Sequence, residues 1–167
     1  MKDYFLKLAD VLSEIDYNKV IQVGSLIKNA GTVYVIGNGG SLATAEHFIC
    51  DINKAIGTQA ISLASLPTFT AYCNDDGYEN ALTKQLKNQA KKDDLLICIS
   101  TSGNSPNIVN AAKFAQYHGV WVVGLVAFDG GNLPNWCDVL YHADTDIIEI
   151  AEDAHMAFCH AVVKQVK

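Results

Sequence analysis

The chain has 167 residues, of which half are hydrophobic and 18% charged, with a formal net charge of −6. That balance excludes a disordered chain, and no apolar run approaches the roughly 18 residues of a membrane span. All twelve basic residues are lysine, so the basic stripe of a nucleic-acid binder is missing and any phosphate would be held without an arginine fork.

Five cysteines, an odd number with no C-x-x-C spacing, point to reduced thiols in a cytoplasm rather than to disulfides or a zinc knuckle. The N-terminus mixes charge with apolar residues and lacks a signal-peptide core. Neither a membrane nor a nucleic acid is expected as a partner.

Residues 2–15 predict an amphipathic helix, because Tyr4, Phe5, Leu8, Val11, Leu12 and Ile15 recur at three- and four-residue steps. Asp16 is placed to cap a second helix, which ends near Asn29 and Gly31. Two helices before the first strand exceed what one small sheet needs, which points to packing against other subunits. A short buried strand, Thr32–Ile36, then runs straight into Gly37–Ser41, and a helix is predicted over Leu42–Ala55.

Further strands are predicted at Gln59–Leu63, Leu95–Ile99, Val120–Leu125 and Asp138–His142. Pro67–Cys73 reads as a short, largely apolar segment, Asn74–Gly77 as a polar turn and Tyr78–Gln89 as a helix. Pro106–His118 is a helix stopped by Gly119, Leu133–Trp136 a single helical turn, and Ile147–Val166 the last helix. Five strands separated by helices predict an α/β doubly wound domain with a parallel sheet, whose ligands bind at the carboxyl ends of the strands. Residues 1–167 are expected to form a single domain, with helices over 1–30 and the α/β sandwich over 31–167.

Two loops carry chemistry. Ser100–Ser105 holds small and hydroxylated residues between a buried strand and a helix that starts at Pro106. This is an anion site in outline, since helix N-termini offer unpaired N–H groups; it is equally the outline of a capped helix. Gly37–Ser41 repeats the strand–loop–helix arrangement. Leu42 stands where a dinucleotide fingerprint needs its third glycine, and no GK[ST] triplet exists, which removes a P-loop.

His47 and Asp51 lie four residues apart on one helix face, either as a surface pair or as ligands or a base with its partner. His160 sits in a mostly apolar stretch, as a core histidine or as a ligand. At ~100° per residue it lies about 20° from Glu149 and Asp153 and about 80° from Glu152, so helix geometry does not choose Glu152 as its partner.

GNGGS…AEHF, CNDDGY, STSGNSPN and EDAHMAFCH, in this order and at these separations, resemble the sugar isomerase (SIS) domain family and within it the phosphoheptose isomerase branch. The resemblance implies a flavodoxin-like sandwich, a homotetramer with active sites between subunits, and an aldose–ketose isomerase that converts sedoheptulose 7-phosphate to D-glycero-D-manno-heptose 7-phosphate for lipopolysaccharide or capsule.

It places sugar phosphate against Ser100, Thr101, Ser102 and Ser105, with Asn38, Gly39, Gly40, Ser41, Asn74 and Asp75 completing the pocket. It implies zinc on His47, Asp51, Glu152 and His160, with Asp51 as base, His160 as acid, and Asp51 and Glu152 also meeting substrate. The family usually has glutamate at Asp51, glutamine at Glu152 and an arginine near Lys54–Ala55. The alternative is a non-catalytic SIS protein that binds a sugar phosphate or a replication initiator; an etherase or hexulose-phosphate isomerase ranks below it.

Overall fold

A computed structural model describes residues 2–167. Strand β1 (Val33–Ile36), β2 (Ala60–Ser62), β3 (Leu95–Ile99), β4 (Trp121–Val126) and β5 (Val139–His142) form one sheet in the order β2-β1-β3-β4-β5. Every pairing is parallel, and the register runs Val35–Ile97–Val123–Val139 across the four longer strands. This is the flavodoxin-like order, and it agrees with the predicted class.

The central strand β3 is buried along its whole length, and its two faces feed two separate cores. Leu95, Ile97 and Ile99 pack with Val33 and Val35 against Val23 and Ile27 of α2 (Tyr17–Asn29), Phe48 of α3 (Gly39–Asp51) and Phe158 of α7 (Ile148–Val166). Leu96 and Cys98 pack with Tyr34 and Ile36 against Leu82 and Leu86 of α5 (Tyr78–Gln89) and Ile108 and Ala112 of α6 (Pro106–Tyr117). A strand covered on both sides has no polar face, which is why its sequence reads as a continuous apolar run. Truncating one such leucine or isoleucine to alanine costs about 2–5 kcal/mol.

α1 (Lys2–Ser13) lays Val11 and Leu12 on the first core, and Asp16 caps α2 by accepting from the Asn18 N–H at 2.9 Å. α4 (Leu66–Asp76) flanks the second core through Phe69 alone among its partly buried apolar residues. Among the described residues no helix is long and apolar enough to cross a membrane.

Three boundaries differ from the expected ones. α3 begins at Gly39 rather than Leu42, so Gly39 and Gly40, two of the loop's three glycines, belong to its first turn. It ends at Asp51 and continues as a π-helical turn, Ile52–Ile56, closed by Gly57 at φ 83°. Asn74–Asp76 is the last turn of α4 and not a polar turn. Gly77 alone reverses the chain, at φ 84°. Asn80 Nδ2 takes up the Asp76 carbonyl and Lys84 pairs with the Asp76 carboxylate at 2.9 Å, so helix and polar residues are compatible there.

Candidate active site

β1 and β3 are neighbours, but the chain leaves them toward opposite edges of the sheet. The loops beyond their carboxyl ends therefore part, and a crevice opens between them. A cavity of about 310 Å³ occupies it. Asn38, Gly39, Gly40 and Ser41 form one wall and Ser100, Thr101, Ser102 and Ser105 the other, with Glu152 from α7 between them. Both loops singled out in the sequence thus share one rim.

The helices that start at this cavity are not capped by side chains. Asn38 holds the N-cap position of α3 with extended backbone (φ −123°, ψ 148°), yet its side chain makes no cap bond. Ser105 does the same for α6. A serine or asparagine cap is ordinarily worth about 1 kcal/mol, so two helices leave first-turn N–H groups and the positive ends of their dipoles at the cavity. With the buried Ser100 and Thr101, the hydroxyl wall of the cavity, opposite the Glu152 carboxylate, is a neutral-donor cradle for an anion.

The hydroxyl loop is stiff. Gly103 adopts φ 61°, and a Cβ there would fall 1.8 Å from the Gly130 carbonyl oxygen. Its own carbonyl accepts from the N–H groups of Asn132 and Leu133 at 3.1 and 2.9 Å. Across the cavity, the Glu152 carboxylate rests on Gly40, where an added Cβ would come 2.2 Å from Oε1. Only a residue without a side chain lets the carboxylate in.

Further along the same two helices, His47 and Asp51 of α3 meet His160 of α7. His47 Nε2 lies 3.1 Å from His160 Nε2, and the Asp51 Oδ2 atom is 3.4 Å from His47 Nε2 and 3.9 Å from His160 Nε2. All three are accessible, so His160 is not the core histidine its apolar neighbours suggest. His155 fills that role: it is fully buried, its Nε2 donates to the Val126 carbonyl at 3.0 Å, and burial pushes its pKa down to about 4. Burial, reinforced by the Asp51 charge, holds the Cys159 thiol well above its ordinary range, which removes it as a ligand or nucleophile.

The cluster fits a divalent cation. Two nitrogens and one carboxylate oxygen lie within 4.8 Å of one another, and a tetrahedral zinc with bonds of about 2.0–2.1 Å separates its ligand atoms by about 3.3 Å. Three protein ligands with an open position is the pattern of a catalytic zinc. A second groove, about 380 Å³, adjoins Asp51 and His160 and is lined by Lys54, Lys164 and Lys167.

Two expectations do not appear in this arrangement. Glu152 stands apart from the other three members of the expected ligand set: eight residues of helix put it about 12 Å along α7 from His160 and about 80° around it. Asn74 and Asp75 are exposed at the end of α4, where Asn74 Nδ2 donates to Asp75 Oδ1 at 2.8 Å, and they do not line the cavity. Ile99, Phe128 and Ile148, which no sequence motif marks, supply the apolar wall. Phe128 carries φ 53°, unusual for a bulky residue; the glycine-rich turn after it was the only local signal.

The SIS domain family model matches residues 4–127. Similar proteins include the phosphoheptose isomerase of Aliarcobacter butzleri, 34% identical over 142 residues that make up 81% of this chain and 75% of that protein. That of Helicobacter hepaticus is 36% identical over 141 residues, 80% of this chain and 71% of that protein. Among solved structures, phosphoheptose isomerase GmhA from Neisseria gonorrhoeae superposes with a TM-score of 0.90 at 27% identity, over 97% of this chain and 93% of that one. The Vibrio vulnificus NanR protein complexed with ManNAc-6P shares the fold, with a TM-score of 0.79 at 16% identity, over 99% of this chain and 59% of that one.

Proposed function

The chain belongs to the SIS domain family, and from that premise we propose that it is an aldose–ketose isomerase converting sedoheptulose 7-phosphate to D-glycero-D-manno-heptose 7-phosphate. One observation carries the reading: α3 and α7 each contribute both to the anion cavity and, further along, to the cluster of Asp51 with two histidines. His47 lies seven residues beyond Gly40, about 10 Å along α3, which suits an open-chain sugar with phosphate at one end and the reacting carbons at the other.

In this reading the hydroxyls of Ser100, Thr101, Ser102 and Ser105 and the free N–H groups of α3 and α6 hold the phosphate, and Asn38, Gly39, Gly40, Ser41 and Glu152 line the sugar. Anchoring one end positions the other. Asp51 takes the proton from C1 of the ketose, leaving a 1,2-enediolate, and returns it to C2. His160 moves the accompanying proton between the two oxygens, so the atoms balance without oxidant or reductant. His47, Asp51 and His160 would hold a zinc ion, which when bound supplies charge to stabilise the developing oxyanion.

The same reading makes residues 1–167 one SIS domain working in the cytoplasm as a homotetramer, in a route to lipopolysaccharide or capsule heptose. Exposed Phe5, Leu6 and Ile21 on the first two helices support subunit packing. A non-catalytic sugar-phosphate-binding protein is the alternative, and the clustered Asp51 and histidines argue against it.

The test is incubation with sedoheptulose 7-phosphate in deuterium oxide, with and without zinc, following the C1 and C2 protons by NMR. Deuterium uptake with an aldose 7-phosphate appearing is the expected result. Thermal stabilisation by the sugar phosphate without exchange would overturn the isomerase in favour of the binding protein.

A further inference from the structure

Asn38 stands where an asparagine ordinarily caps a helix, yet its side chain turns away from α3. Its Oδ1 accepts from Asn107 Nδ2 at 2.9 Å and from the Tyr78 hydroxyl at 2.8 Å. Its Nδ2 donates back to Asn107 Oδ1 at 3.0 Å. Two carboxamides thus pair reciprocally across the crevice between the β1 and β3 loops, and Tyr78, from the start of α5, fixes the pair from the side.

Asn107 is fully buried. A buried amide left without partners is costly, so Asn107 compels Asn38 to stay in place. A carboxamide nitrogen carries two N–H groups. One from Asn38 goes to Asn107, and the other has no partner among the described residues, while Asn38 lines the cavity. The same pairing stops Asn38 from capping α3, which leaves that helix's N–H groups for a ligand.

We propose that Asn107 and Tyr78 are positioning residues of the isomerase: through the reciprocal amide pair they hold Asn38 so that its free N–H meets a substrate oxygen and the start of α3 stays open to the phosphate. The inference rests on the isomerase reading. Asn107 and Tyr78 touch no substrate; they act through Asn38.

The test is a double-mutant cycle. Tyr78→Phe removes only a hydroxyl at a half-exposed ring, so it reports even where Asn107→Ala fails to fold. KM for sedoheptulose 7-phosphate should rise about threefold in Tyr78→Phe and about tenfold in Asn107→Ala, the scale of one or two neutral hydrogen bonds. In an Asn38→Ala background both effects should vanish, because the path to substrate is already cut. Equal penalties in that background, or none in the unmodified chain, would overturn the inference.

In parallel, inorganic phosphate is titrated while the Asn38 side-chain amide is followed by NMR. Its protons should exchange with water faster in Tyr78→Phe, and phosphate should bind more weakly. If the unmodified chain turns over no sugar phosphate, the isomerase reading falls on its own. The amide and phosphate arms then decide the clamp: unaltered exchange and affinity in Tyr78→Phe overturn it.

Discussion

His47 Nε2 and His160 Nε2 face each other at 3.1 Å, with Asp51 Oδ2 within 3.9 Å of both. At that distance one ring accepts what the other donates, or both turn their lone pairs to a common cation. Zinc should therefore raise the melting temperature, the stabilisation reaching about 2.7 kcal/mol when free zinc is 100-fold above Kd. His160→Ala should abolish the rise while phosphate binding at the neighbouring cavity persists. Differential scanning calorimetry with zinc and with a chelator measures the first, and a phosphate titration the second.

Asp51 ends α3 one turn beyond His47 and is the sole carboxylate of the cluster. Asp51→Asn keeps the shape and removes the base, so turnover should fall by about 10²-fold or more. Inorganic phosphate should bind as before, because the cavity that holds it is formed by other residues. Turnover unchanged in Asp51→Asn would remove Asp51 from the proton transfer.

The core histidine sets an acid limit on stability. His155 is neutral in the folded chain, with its pKa pushed from 6.5 down to about 4 by burial. The unfolded chain takes up that proton first. The contribution of His155 to stability is therefore constant above pH 6.5, falls as pH drops from 6.5 toward 4 and levels off below, by about 3 kcal/mol in all. His155→Leu should flatten that decline in urea unfolding measured at a series of pH values. The Val126 carbonyl also accepts from the Ala143 N–H at 2.9 Å, a partner that the substitution does not remove.

Much of the fold is legible in the sequence. β3 announced itself because burial on both faces strips a strand of polar residues, and the hydroxyl loop followed because small residues between a strand and a proline-led helix leave few alternatives. The true start of α3 was hidden because Gly39 and Gly40 have poor helix propensity. Both are glycine for other reasons: the Glu152 carboxylate occupies the space where a side chain on Gly40 would lie, and Gly39 adopts φ 54°.

The role of Asn107 could not be read locally, since burial of a polar side chain is decided by a partner far away in the sequence. Asn74 and Asp75 came from the resemblance alone, and in the single chain they are exposed at the end of α4.

The bare N-cap positions of α3 and α6 have a consequence for the life of the protein. A chain that declines about 1 kcal/mol at each of two helix ends leaves that stability to be supplied by whatever anion arrives. The ligand-free molecule is the more readily opened and digested form, and the occupied one is shielded by mass action. Limited proteolysis with and without inorganic phosphate measures that shielding: cleavage should slow as phosphate fills the two helix ends.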